Sequence, residues 1–376
     1  MILTSCSCTL LKNRKNLLDV ARYTKRIDQN NLSSYFMKIE RKTYRDGNLL
    51  PDVYNCLKHL PDNTSYHQDH NERHPFAIYN LSIQKVLQSL DKLLNEAGKI
   101  YTSLFDATGE LNYRLGKLPD LQKDLLHSLQ SYIDDCYRIL KVLYPFTPTN
   151  GKFVEGWLEK VKHPAYPSFK AAISDYRNSF APIVNKIKHN GGQIRPIMMC
   201  SKGTGVVLRT PNQGIQIPQQ NARIIGYFLE GVQPNGRIGP DCDIHPDGKT
   251  AISLNRDLRY HFANIYRIGH HLRSAVSLSI KSCHGIRLSY PSAVQEPVSQ
   301  YNIESIAEQI SKLPILFFQD ECTKATPEIR FSRSTTSTEL LIDTSGAPPM
   351  TWDGEMMIYF ELQTDGVSTK YQLPYK

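Results

Sequence analysis

At His189-Asn190-Gly191-Gly192 the period of the apolar residues changes. Upstream, Ile83, Val86, Leu87, Leu90, Leu93, Leu94, Ala97 and Ile100 recur at three- and four-residue steps, as do Leu118, Leu121, Leu125, Leu129, Tyr132, Ile133, Cys136, Ile139, Leu140 and Leu143. That is the helical period, and a broad apolar stripe of this kind has to be covered by another element. A further stripe, Phe169, Ala172, Ile173, Tyr176, Phe180, Ile183, Val184 and Ile187, runs up to the glycine pair. Downstream the apolar runs shorten, and Asn235-Gly236 and Asp247-Gly248 offer tight hairpin turns. The expected fold is therefore α+β: a helical bundle over residues 1–190, with 51–75 as a polar loop, then an antiparallel, hairpin-rich α+β domain over 191–376. One long helix is expected in the second part, from Asn255 to Ile280, and Leu313 to Phe318 reads as a buried strand.

The same pattern excludes several classes. Strands do not alternate regularly with helices, and Gly203-Thr204-Gly205 lacks the third glycine and the following helix that a dinucleotide or nucleoside triphosphate loop needs. No cofactor is expected. No apolar run approaches the roughly 18 residues of a membrane span, so no membrane partner is expected either. The eight cysteines are scattered, which suits reduced thiols in a cytoplasmic protein. His67, His70 and His74 fall close together in a polar stretch, and Asp241-Cys242-Asp243-Ile244-His245-Pro246-Asp247 has the look of a calcium loop, but neither supplies a closed ligand set and no metal is expected.

Charge is the feature that points to a partner. The net charge of +9 is made of +8 over residues 1–190, +7 over 191–290 and −6 over 291–376. A basic body with an acidic end suits nucleic acid or an acidic protein. Arg14 and Lys15 open a basic segment interleaved with tyrosines, a composition that can follow a phosphate backbone while rings stack on bases. Arg256, Arg259 and Arg267 decorate the long helix of the second part, and guanidinium groups fit phosphate bidentately.

On the helix ending at His189, Asn178, Pro182, Asn185 and His189 fall at i, i+4, i+7 and i+11, one continuous polar face, with Arg177 and Lys188 on the neighbouring stripe. Tyr176-Arg177-Asn178 followed by Asn185-Lys186-Ile187-Lys188-His189 resembles the end of the HEPN-like helical domains of bacterial defence and toxin proteins. In that family an Arg, the polar residue after it and a His form a metal-independent ribonuclease site. Carried over, Arg177 and Asn178 match the Arg-polar pair and His189 the histidine. The spacing departs from the family's, since Arg177 and His189 stand twelve residues apart with Pro182 between them. Twelve residues span roughly 18 Å of helix, so a shared site would need the same helix of a second subunit. The resemblance thus implies RNA rather than DNA, a homodimer and a role in antiphage defence. Two functional classes follow: a binding or scaffolding protein with a basic surface, which is preferred, and a HEPN-like ribonuclease.

Overall fold

The computed structural model describes residues 4–6, 37–44, 49–102, 115–149, 153–202, 205–210, 214–219, 221–290, 302–346, 350–360 and 371–375. Along the chain come β1 (Thr4–Cys6), β2 (Lys38–Tyr44), α1 (Asp52–Lys58), α2 (Pro75–Thr102), α3 (Leu118–Val142), α4 (Val154–Lys160) and α5 (Tyr166–His189). There follow β3 (Ile194–Ser201), β4 (Val206–Thr210), β5 (Gly214–Gln219), β6 (Arg223–Val232), β7 (Ile238–Pro240), β8 (Ile252–Ser253) and α6 (Leu254–His284). The chain closes with α7 (Ile303–Lys312), β9 (Glu328–Arg333), β10 (Ser337–Asp343), β11 (Thr351–Asp353) and β12 (Met356–Phe360). The fold is α+β, and every strand pair among these elements is antiparallel.

The long helices follow the apolar stripes. α3 starts with Pro119 in its first turn, where a missing N–H costs nothing, and buries Leu125, Leu126, Leu129, Ile133 and Cys136. α5 stops where Gly191 takes φ 66°, which lets the Gly192 N–H close on the Lys186 carbonyl at 3.0 Å. α6 is capped in the same way by Gly285, and α7 by Asn302, whose side chain accepts from the Glu304 and Ser305 N–H groups. Among the described residues no helix is long and apolar enough to cross a membrane.

The sheets join the two ends of the sequence. The largest runs β1-β12-β3-β6-β7, with β8 also paired to β6; a second is β2-β10-β9 and a third β11-β4-β5. β1 and β2, the strands described before residue 190, therefore sit beside strands from beyond residue 336, Thr4 opposite Ile358 and Leu340 opposite Arg41. The central strands are covered on both faces. Ile225, Tyr227 and Leu229 of β6 face a core shared with α2, α3, α5 and α6, while Ile224 and Phe228 face a smaller one with Leu316, Phe318, Trp352 and Phe360. Strands buried on two sides read as unbroken apolar runs, as β3 and β6 do. The larger core crosses residue 190 without interruption, from Leu49 to Tyr359.

Three local expectations change. Residues 51–75 are not a loop throughout: α1 buries Val53, Tyr54, Cys56 and Leu57, with the Tyr54 ring edge-on to Phe76 at 5.1 Å. A helix of two turns offers too few repeats for its period to stand out. Leu313 to Phe318 forms no strand, because its backbone is satisfied by side chains instead. Asn255 Nδ2 donates to the Pro314 and Leu316 carbonyls, and the Phe318 N–H donates to Ser253 Oγ. Asp247-Gly248 lies in a short 3-10 turn rather than a hairpin, whereas Asn235-Gly236 does join β6 to β7. The sequence from Glu355 to Tyr371 also reads as a hairpin about Asp365-Gly366, and that turn lies outside the described residues.

Candidate functional site

α5 has two faces of different chemistry. Its inner stripe, Tyr176, Phe180, Ile183 and Val184, is buried, whereas Asn178, Pro182, Asn185 and His189 are all exposed. The missing N–H of Pro182 falls on the solvent side, where water can serve the carbonyl left unbonded. The polar face read from the sequence is thus a real face. Arg177 does not project from it freely: Nη2 is 2.6 Å from Glu155 of α4, and the guanidinium lies over the Tyr137 ring of α3 at 5.8 Å. Arg177, Asn178 and His189 remain spread along one helix within the chain.

The exposed end of α5 meets the start of α3. Lys188 and Lys123, both exposed, lie close enough to His127 for their charges to act on it. Burial is the larger cause of the lowered His127 pKa, and the two ammonium groups push the same way against Asp124. Neither lysine has a salt-bridge partner among the described residues. Beside them a cavity of about 220 Å³ opens between the helix ends, lined by Lys123, Ile187, Gly192 and Arg195. Arg195 is held by Glu230 at 2.7 Å.

The other basic candidates are placed differently. Arg14 and Lys15 lie outside the described residues. Arg259 is 4% exposed and donates to the Leu313 carbonyl at 2.7 Å, so it finishes the C-terminus of α7 rather than facing solvent. Arg267 is equally buried, at 4%. Arg256 is half-buried, donates to the Ala325 carbonyl and stands 3.7 Å from Glu321. On an amphipathic helix an Arg beside the apolar stripe can snorkel or turn inward, and the sequence does not say which.

The two stretches with a metal-like composition find internal partners. Lys186 Nζ donates to both oxygens of Asp241, at 2.6 and 2.7 Å, and to Asp243 at 2.7 Å, so an ammonium stands where a calcium ion would. His70 is buried, donates to the Tyr144 carbonyl and meets the Trp157 ring at 5.1 Å, while His67 bonds Ser65. Among the described residues no group of three or more His, Cys, Asp or Glu side chains could hold a metal ion.

Behind α5 lies a constellation that the sequence reading passed over. Asp257 and His261, one turn apart on α6, bring His261 Nε2 within 3.1 Å of Asp257 Oδ1. On its other side His261 Nδ1 meets the Tyr176 hydroxyl at 3.0 Å. Tyr227 Oη and Gln122 Nε2 both donate to Asp257 Oδ2, at 2.8 and 2.9 Å. Burial pushes the Asp257 carboxyl up, but His261, Tyr227 and Gln122 together hold it below the usual range. Asp257, His261 and Tyr227 border a cleft of about 150 Å³ between α5, β6, the start of α6, residues 244–252 and residues 320–324. Across that cleft Glu321, almost fully buried, accepts from the Ser253 N–H at 2.9 Å. Burial lifts its carboxyl to about 7. The one sequence signal available was His261 itself, an imidazole in the apolar stripe of Leu254, Leu258, Phe262 and Ile265, four residues after an Asp.

No protein family, curated protein or solved structure matches this chain.

Proposed function

We propose that this protein binds a polyanion, RNA in the first instance, through the edge where α3 and α5 meet. The observation that carries the reading is the convergence of the exposed Lys123 and Lys188, from two packed helices, beside His127, neither held in a salt bridge among the described residues although Asp124 and Asp134 lie within electrostatic range. Lys188 and His189 also stand at the negative end of the α5 dipole, where they complement the last carbonyls. Exposed cations outside salt bridges on a rigid helical edge supply the sequence-independent part of nucleic-acid affinity, because each phosphate contact releases counterions. The overall charge of +9 favours the same encounter at longer range.

The HEPN-like ribonuclease reading draws less support from the geometry. Arg177 is committed to Glu155, and the helix carries it roughly 18 Å from His189, so a joint site would again require a second copy. One experiment separates the two readings. Purified protein is titrated into labelled single-stranded RNA in chelator, and the RNA is then resolved under denaturing conditions. Retarded but intact RNA is expected. Chelator-resistant cleavage that disappears in His189→Ala would replace binding with catalysis, and no retardation at low salt would sink the proposal.

A further inference from the structure

Where α4 gives way to α5 the surface opens into a groove of about 690 Å³, within the size range of small-molecule sites. Leu158 of α4, Pro164 of the connection and Pro167 and Ala171 of α5 make its walls apolar. Pro167, Lys170, Ala171 and Ser174 stand at i, i+3, i+4 and i+7, so they follow one face of α5 over roughly 10 Å. The charges along this groove do not balance. Lys170 Nζ is 2.7 Å from Glu159 Oε1, which also accepts the Tyr166 hydroxyl at 3.0 Å, so the carboxylate of the lining is already matched. His163 is buried, its Nδ1 accepts from the Ala165 N–H, and burial lowers its pKa to about 4. Lys162 lines the groove, is exposed and has no salt-bridge partner among the described residues.

The backbone of Lys162 points the same way as its charge. The turn that ends α4 closes with the His163 N–H on the Leu158 carbonyl at 3.0 Å and the Lys162 N–H on the Glu159 carbonyl at 3.1 Å, a geometry that holds Lys162 at φ 54°. Glycine is favoured there, because a Cβ is crowded in the left-handed region. A lysine kept in that conformation beside an apolar groove carries a backbone cost that an anionic ligand accounts for. The first turn of α5 holds no acidic residue, so the positive end of that helix adds to the same field. We infer that the groove binds a small amphiphilic carboxylate of the medium-chain fatty acid class, with its carboxylate on Lys162 and its chain over Leu158, Pro164, Pro167 and Ala171. The site lies at the opposite end of α5 from His189 and does not depend on the α3–α5 edge.

The test titrates the full chain calorimetrically at neutral pH with octanoate, octylammonium and acetate. Octanoate is expected to bind, acetate not, and octylammonium at least about tenfold more weakly than octanoate. Lys162→Gly removes the cation and the backbone cost together, so it should weaken octanoate about tenfold while leaving resistance to urea unchanged or higher. Lys162→Arg should retain binding. Ala171→Glu, at an exposed position, puts a negative charge on the floor of the groove and should abolish it. Equal binding of octylammonium, no octanoate binding, or unchanged octanoate affinity in Lys162→Gly would overturn the inference. A dimer in sedimentation that Ala171→Glu breaks, with no octanoate bound, would give the groove to a second copy and overturn it as well.

Discussion

The two sides of α5 handle charge in opposite ways. On the outer side Lys188 and His189 stand in water near Lys123, outside any salt bridge among the described residues and cheap to maintain. On the inner side Tyr176 joins a closed group in which His261, Tyr227 and Gln122 converge on a single carboxylate. An exposed cation loses little by lacking a partner, because water solvates it, so outer charges are free to serve a ligand. A buried carboxylate has to be hydrogen-bonded, so the inner group binds the molecule together before it does anything else. Mutational effects on folding and on polyanion binding should therefore separate across one helix.

The largest effect on folding is expected at Asp257. Asp257→Ala strips the acceptor from Tyr227 and Gln122 and removes the carboxylate 3.1 Å from His261 Nε2, and should cost about 3–5 kcal/mol in urea unfolding. A loss below about 1 kcal/mol would mean that the inner group is not a keystone and would erase the contrast.

Glu321 makes the stability of the inner side depend on pH. Its carboxyl is lifted to about 7 in the folded protein, against a reference of 4.5. Between those values the unfolded chain binds fewer protons than the folded one, so its contribution is full below about pH 4.5 and is lost as pH rises through 7. The stability difference between wild type and Glu321→Gln should therefore shift against the wild type across that window, with a slope approaching about 1.4 kcal/mol per pH unit. Parallel pH profiles for the two proteins would contradict it.

Lys186 stands between the extremes, half-buried and clasped by Asp241 and Asp243. Lys186→Met should cost about 1–2 kcal/mol by thermal or urea unfolding, since it leaves Asp241 with only the backbone donors of Asp243 and Ile244. No measurable change would class it with the outer lysines.

Much of the fold could be read from the sequence, and much of the site could not, for a physical reason. Periodicity is local: it located α2, α3, α5 and α6 and showed Asn178, Asn185 and His189 on a solvent face. It also separated helix-rich from strand-rich sequence at Gly191, but β1 and β2 pair with distant strands, and pairing partners leave no local trace. The inner group depends on such contacts, Tyr176 to His261 across 85 positions and Gln122 to Asp257 across 135. Burial was the other blind spot. Arg259 reads as a surface cation but closes a helix end, and Arg177 reads as part of a phosphate site but is bound to Glu155. Lys123 was legible only as one exposed lysine among many until α3 and α5 packed.

The most direct measurement is the salt dependence of RNA affinity for wild type and for the double charge reversal Lys123→Glu/Lys188→Glu. Both positions are exposed and without salt bridges among the described residues, so even with the reversed charge at the α5 C-terminus the variant should unfold within about 2 kcal/mol of wild type. Its affinity for single-stranded RNA should fall at least about tenfold at low salt, and the slope of log affinity against log salt should shrink by about 1 to 2. Unchanged affinity and slope in a folded variant would place the polyanion elsewhere and contradict the account.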